Sequence, residues 1–476
     1  MRVLALDVGS SSVKAAVLSD GRLVTPIVRR PVRTDFDPPR VEIPAGPLWR
    51  SVALAVRDLG PEARAADRIA LDSMSPSCVL LDRAGDALTP LITHQDRRSV
   101  EEARAIERRF GADEHLRLAG NRPFPGGIAS TTLLWLRRNR PRLLARAATV
   151  GMGTTFLVAR LTGARRIDPG QAAFLGLYDH ARRSAGGPMA CSADLCRPSG
   201  VRAGQLPEIR DGGEVAGTVL PAVARSLGIR SGTEVVVGVI DTSAAFLGAG
   251  AAPGRLLNSI GTTDVIALAG LRPIPHPRIL TRELGTGPLW LSVYTIAAGG
   301  GSVEWAHRAL FPDQSAASFF RLARRLAEDP PPERPRFRPY LAGDRMSIEQ
   351  IEAGFDGLDL GTSREDLLRA VLAALARWNS EGMALLTRRA KPLPDVSVVG
   401  GGGWLGGLLH RSWRGRWRFR PIRDSFLKGL ARLAEGCGAA EGPAPERGGV
   451  GRIGNMGGWR GRPAITRCGS PGGNGA

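Results

Sequence analysis

Cysteine, lysine and aromatic residues are all scarce in this chain of 476 residues, and no long apolar run interrupts it. The five cysteines, Cys78, Cys191, Cys196, Cys437 and Cys468, are too few and too scattered for the disulfide framework of a small secreted scaffold. Cys191 and Cys196 have no matching Cys or His pair downstream, so free thiols suit them better than zinc ligands. The lack of a run of about twenty uncharged apolar residues argues against a spanning helix, and no membrane partner is expected. The opening Val3-Leu4-Ala5-Leu6 is broken by Asp7, as in a buried strand, and lacks the tripartite plan of a secretory leader. The expected location is cytoplasmic.

Lysine occurs only at Lys14, Lys391 and Lys428, so arginine carries nearly all of the formal charge of +20. From Arg411 onward there are 13 Lys+Arg against 4 Asp+Glu, so almost half the excess lies near the end of the chain. With aromatics at 5% and no nucleic-acid-reading module, that distribution fits a basic tail and argues against nucleic acid as a partner.

The length suggests two domains, and strands alternate with long helical stretches, so the expected class is α/β. One device recurs: a short apolar strand followed at once by a Gly/Ser/Thr turn. It occurs at Asp7-Val8-Gly9-Ser10-Ser11-Ser12 and again at Gly261-Thr262-Thr263. Such a turn serves equally as an ordinary hairpin or as a cradle whose amides and hydroxyls meet phosphate oxygens. Lys14 would add positive charge, and Asp7 an oxygen ligand for Mg²⁺. Gly400 to Gly403 after a strand cost backbone entropy that a plain turn does not require. Asp241 stands where the strand Val235–Val239 stops. By itself it reads either as a helix cap or as a base for a hydroxyl proton, with the cap favoured. From about Gly436 the chain is dense in Gly, Pro and Arg without apolar periodicity, and disorder is expected over 436–476.

The order of these segments resembles the FGGY carbohydrate kinase family over residues 1 to roughly 435. The similar segments are Asp7 to Lys14; Leu81-Asp82 through Gln95-Asp96-Arg97-Arg98; Leu134-Trp135-Leu136; Arg160 to Gly163 with Asp168; Gly238 to Asp241 with Leu247 to Gly250; Ser259 to Thr263; Gly299 to Trp305; Pro339-Tyr340-Leu341; and Val399 to Gly403. Each is loose, and the ordered conjunction is specific. The resemblance implies two ribonuclease H-like domains of the actin/hexokinase type with the active site in the cleft between them. The expected spans are 1–243 for sugar and base, and 244–435 for nucleotide.

It also implies ATP and Mg²⁺, with phosphate transferred to a hydroxyl of a small sugar, polyol or sugar acid. Asp241 would be the base and Asp7 the metal-side carboxylate. Gly9, Ser10, Ser11, Ser12, Lys14, Gly261, Thr262, Gly300, Glu304, Gly402 and Gly403 would line the nucleotide. Met74, Ser75 and Asp96 would contact the sugar, and a homodimer is one expected assembly. A catalytically weak nucleotide- and sugar-binding sensor of the same fold is the alternative. The chain departs from the family pattern at Ser75-Pro76, at His94 in place of a tryptophan, and at Gly238-Val239-Ile240 before the aspartate.

Overall fold

The computed structural model describes residues 1–388, 390–400 and 403–436. Cys437, Cys468 and the tail from residue 437 lie outside the described residues, as does Gly402. Cys78, Cys191 and Cys196 are free thiols.

The first sheet runs Val215–Thr218, Glu234–Val236, Arg68–Ser73, Arg2–Val8, Ser12–Ser19 and Arg22–Leu23 across its width. Arg2–Val8 is antiparallel to Ser12–Ser19 and parallel to Arg68–Ser73. Its alternating side chains feed two separate cores. Val3 and Ala5 face one, and Leu4, Leu6 and Val8 the other. A strand buried on both faces needs no polar alternation, which explains the uninterrupted Val-Leu-Ala-Leu run. The helices Ala45–Arg57 and Gly153–Thr162 supply Leu48, Val52, Val56, Phe156 and Leu157 to one core. The opposite face meets Ala244, Phe246, Leu427 and Leu430 of the helices Asp241–Gly248 and Ser425–Ala434.

The second sheet runs Leu280–Glu283, Trp290–Ile296, Asp264–Gly270, Leu256–Ile260, Asp395–Val399 and Arg418–Pro421. Leu256–Ile260 is antiparallel to Asp264–Gly270 and parallel to Asp395–Val399. Both sheets therefore place an antiparallel hairpin beside parallel strands in the same spatial order. The two Gly/Ser/Thr turns found in the sequence are the turns of these two equivalent hairpins.

The expected boundary at 243/244 falls inside the helix Asp241–Gly248. The closing helix Ser425–Ala434 follows the second sheet in the chain, yet packs on this helix and on the strands Arg2–Val8 and Arg68–Ser73 of the first sheet. A side chain could not fit where the two helices cross. A Cβ on Gly248 would strike the Ser425 carbonyl, and one on Gly429 the Ala244 carbonyl. Arg432 donates to the Leu247 carbonyl at 2.6 Å, and Arg68 to that of Ala434 at 2.7 Å, so each helix end keeps a cationic donor.

The two halves also meet along the edge strand Leu280–Glu283. Asn121 exchanges two hydrogen bonds with the Thr281 backbone at 2.8 Å each, and the Tyr178 hydroxyl donates to Glu283 at 2.5 Å. Among the described residues no helix is long and apolar enough to cross a membrane.

Candidate active site

Three carboxylates gather where neighbouring strands of the first sheet end. Asp7 and Asp72 are register partners on parallel strands. The short strand Val239–Ile240 pairs with the same end of Arg68–Ser73, Val239 opposite Asp72, and delivers Asp241 to the first turn of its helix. Asp7 is buried, and its Oδ2 accepts from Lys14 Nζ at 2.5 Å. The Lys14 ammonium also lies 5.4 Å from the centre of the Phe426 ring on the closing helix. Gly9, Ser10, Ser11 and Ser12 form the half-exposed to exposed turn beyond.

Asp72 is fully buried, and its Oδ1 accepts from the Val8 amide at 3.2 Å, while Oδ2 has no partner. Burial, followed by the charges of Asp7 and Asp241, raises its pKa well above the usual carboxylate value. Burial also raises that of Asp241, with the Asp7 charge adding to it. Hydrogen bonds from Thr242, through its amide at 2.5 Å and its hydroxyl at 3.0 Å, oppose that rise. Asp241 is half-buried at the first helical position, after the N-cap Ile240, and its bond from the Thr242 amide also satisfies a free N–H of that first turn.

Two guanidinium groups approach this aspartate from the second half. Arg282, on the edge strand, is buried and donates to Ser243 at 2.7 Å. Burial lowers its pKa to about 10, against the opposing charges of Asp168 and Asp241. Arg345 is half-buried, gives the Ser75 carbonyl a bond of 3.4 Å, leaves Nε without a partner, and faces the charge of Asp241. Arg97 fixes the segment that carries it, since its guanidinium donates to the carbonyls of Ser347, Ile348 and Glu349 at 3.1 Å each. Its Nη1 also reaches the Pro125 carbonyl at 3.3 Å, so one side chain joins both halves.

Of the expected sugar contacts, Ser75 is half-buried with an unpartnered Oγ, and Met74 is buried. Asp96 is buried, and its two oxygens accept from the Val41 amide at 3.0 Å and from the Arg98 amide and guanidinium at 2.8–3.1 Å.

In the second half Gly261 and Thr262 are exposed and sit directly on the first turn of the helix Gly299–Leu310. Gly300 and Gly301 donate to the carbonyls of Gly261 and Thr262 at 3.0 Å each. A Cβ on Gly300 would strike the Gly261 carbonyl, so the close approach demands glycine there. Glu304 lies half-buried on the same helix, and Gly403 begins the helix Gly403–Arg411.

Behind the turn a buried polar chain converges on Asp264. Asn258 and Asn379 donate their amides to its two oxygens at 2.6 and 2.5 Å. His410 bonds Asn258 Oδ1 at 2.8 Å, and Trp413 donates to Asn379 Oδ1 at 2.5 Å.

Sequence reasoning assigned no role to Asp72, Arg282 or Arg345. Arg345 belongs to the stretch after Pro339-Tyr340-Leu341, where a charged Gly343-Asp344-Arg345 turn was the available signal.

Residues 2–248 match the N-terminal domain of the FGGY family of carbohydrate kinases, and residues 256–405 match its C-terminal domain. The chain is 25% identical over 414 residues to a xylulose kinase of Escherichia coli strain K12, covering 84% of this chain and 81% of that protein. An autoinducer-2 kinase of Klebsiella pneumoniae is 29% identical over 289 residues, covering 58% and 53%. Among solved structures, the xylulose kinase from Rhodospirillum rubrum superposes with a TM-score of 0.80 at 24% identity, covering 93% of this chain and 91% of its own. The Plasmodium falciparum glycerol kinase with ADP gives 0.76 at 16% identity, covering 91% and 88%. The fold is thus the two-domain actin/hexokinase type. The chain belongs to the FGGY family of carbohydrate kinases, phosphotransferases that act on sugar hydroxyls.

Proposed function

We propose that this protein transfers the terminal phosphoryl group of ATP to a hydroxyl of a small sugar or polyol, with Asp241 as the base. The observation that carries the reading is the placing of Asp241. It is half-buried just after the end of a strand, beside Asp7 of the first hairpin and facing Arg345 from the second half.

Phosphoryl transfer asks little covalent chemistry of a protein and much positioning. The Asp241 carboxylate accepts the hydroxyl proton as the oxygen attacks. Its raised pKa makes it a better acceptor, and the Thr242 bonds aim one of its oxygens. Ser10 and Ser11 on the first turn, Lys14 on the strand that follows it, and Thr262 on the second turn hold the phosphates between equivalent hairpins. Gly300 and Glu304 border the nucleotide from the adjoining helix. Mg²⁺ bound on those phosphates would neutralise charge building on the transferred group. Asp7, an oxygen donor beside Asp241, fits a hard ion that keeps most of its waters. Closure of the halves over the sugar would exclude water and limit ATP hydrolysis.

A coupled ADP-release screen over sugars, polyols and aldonates tests the reading. Asp241→Ala should cost about 10²–10⁴-fold in turnover, with nucleotide binding retained. Unchanged turnover in that variant sinks the assignment.

A further inference from the structure

The turn Gly261-Thr262-Thr263 is closed by Ile260 and Asp264, which are register partners across the hairpin. Asp264 is buried, and each of its oxygens accepts an amide hydrogen. One comes from Asn258 on the same hairpin, the other from Asn379 on the helix Arg364–Thr387. The direction of these bonds is set by the next partners out. The Trp413 indole can only donate, so Asn379 turns its oxygen to Trp413 and its amide hydrogens to Asp264. Asn258 gives its amide hydrogens to Asp264 and to the Val265 carbonyl, which leaves its oxygen to accept from His410. Two rows of donors therefore run inward and end on one group that must accept on both sides. An ionised carboxylate does this, and an amide of the same shape does not.

Apolar side chains of similar volume often fill such a space with equal or greater stability, because a buried charge costs desolvation. What a fully satisfied polar network adds is a single fixed arrangement. Its members here come from the hairpin of the second turn, from Arg364–Thr387, and from the helix Gly403–Arg411 and the residues just after it. Gly299 begins the helix that carries Gly300 and Glu304, and a Cβ on it would lie 2.7 Å from the Asp264 Cβ. Asp264 thus stands between the turn and every helix around it. We infer that Asp264 is a positioning residue for the nucleotide, its ionised carboxylate tying the second turn to the helices that supply Gly299, Asn379 and His410. It acts through the turn, by fixing where the Thr262 hydroxyl and the neighbouring amides meet a phosphate. This rests on the sugar-kinase reading above and adds to it a residue set behind the phosphates.

The test measures ADP binding by calorimetry with magnesium present, and KM for ATP and for the preferred sugar. It compares the wild type with Asp264→Asn, Trp413→Phe and the double variant Asp264→Asn/Asn379→Asp. Asp264→Asn should weaken ADP binding and raise KM for ATP by about tenfold, with KM for the sugar unchanged. A merely structural loss would lower the fraction of protein that binds and leave the Kd of that fraction alone. Trp413→Phe frees Asn379 to turn and should give a smaller change of the same kind, and it carries the test if Asp264→Asn does not fold. The double variant exchanges amide and carboxylate. The new amide at position 264 then donates to the new carboxylate at 379, which still accepts from Trp413, and Asn258 keeps an acceptor, so ADP affinity should return. Unaltered ADP affinity in both Asp264→Asn and Trp413→Phe, or no recovery in the double variant, overturns the proposal. A wild type that binds no ADP sinks the kinase reading, and this proposal falls with it.

Discussion

Asp7 lies directly opposite Asp72 on neighbouring parallel strands, and Lys14 is paired with Asp7. Asp72 is thus the carboxylate whose burial is offset only by the Val8 amide and the more distant Lys14 charge. Its folded pKa is raised, so its favourable contribution is full at acid pH and is lost as pH rises through the folded value. Asp72→Asn keeps the acceptor for Val8 and carries no charge. Thermal unfolding should show the variant more stable than wild type at pH 8, with the gap closing toward pH 4. A constant gap across that range would contradict the charge account.

Asp264 offers a second titration. Its pKa is raised to about 6, chiefly by burial, against an ordinary value of about 3.9. Between those values the folded protein holds a proton that the unfolded chain has released. The contribution of this group is therefore greatest below about pH 4 and gone above pH 6. Asp264→Asn should flatten stability over that window. It should also lower stability by about 1–3 kcal/mol, because one of Asn258 or Asn379 then meets a donor instead of an acceptor.

Arg97 holds the segment that brings Arg345 to the cleft. Arg97→Ala should speed amide exchange over residues 344–349 and raise KM for the sugar by about tenfold, a loss near 1.4 kcal/mol. Arg97→Lys should recover little, because a single ammonium cannot reach both the Pro125 carbonyl held by Nη1 and the Ser347–Glu349 carbonyls held by Nη2. Exchange rates unchanged in Arg97→Ala would show that other contacts fix the segment.

Gly429→Ala places a methyl group against the Ala244 carbonyl, which is backbone and cannot step aside. Overpacking of this kind costs about 1–3 kcal/mol. The expected result is a lower unfolding midpoint and a loss of turnover at temperatures that the wild type tolerates. Ala at Gly407, where nothing lies within 4 Å of the added Cβ, is the matched control that should leave both unchanged.

The candidate site was legible in the sequence where chemistry and local pattern coincide. Asp7 and Asp241 each end a buried strand, and the Gly/Ser/Thr turns follow strands, so short segments sufficed to mark them. Arg345 and Arg282 were not legible, because their partners near Asp241 lie far along the chain and only the packing of the two halves brings them there. The partners of Asp96 were not legible either: its oxygens accept from Arg98, two residues on, and from Val41, and a motif shows only that a carboxylate is present. His94 stood out only as a departure, and that its Nδ1 has no partner is a fact of packing that the sequence does not carry. The helix alternation read correctly as α/β, and the expected domain boundary at 243/244 lies within the helix Asp241–Gly248.

The crossing of Gly248 and Gly429 also orders events during synthesis. The helix that presents Asp241 is complete when about half of the chain has been made, yet one of its faces stays bare until the segment around residue 430 has left the ribosome. A chain broken before Ser425 would leave Ala244 and Phe246 of that helix without the helix that covers them.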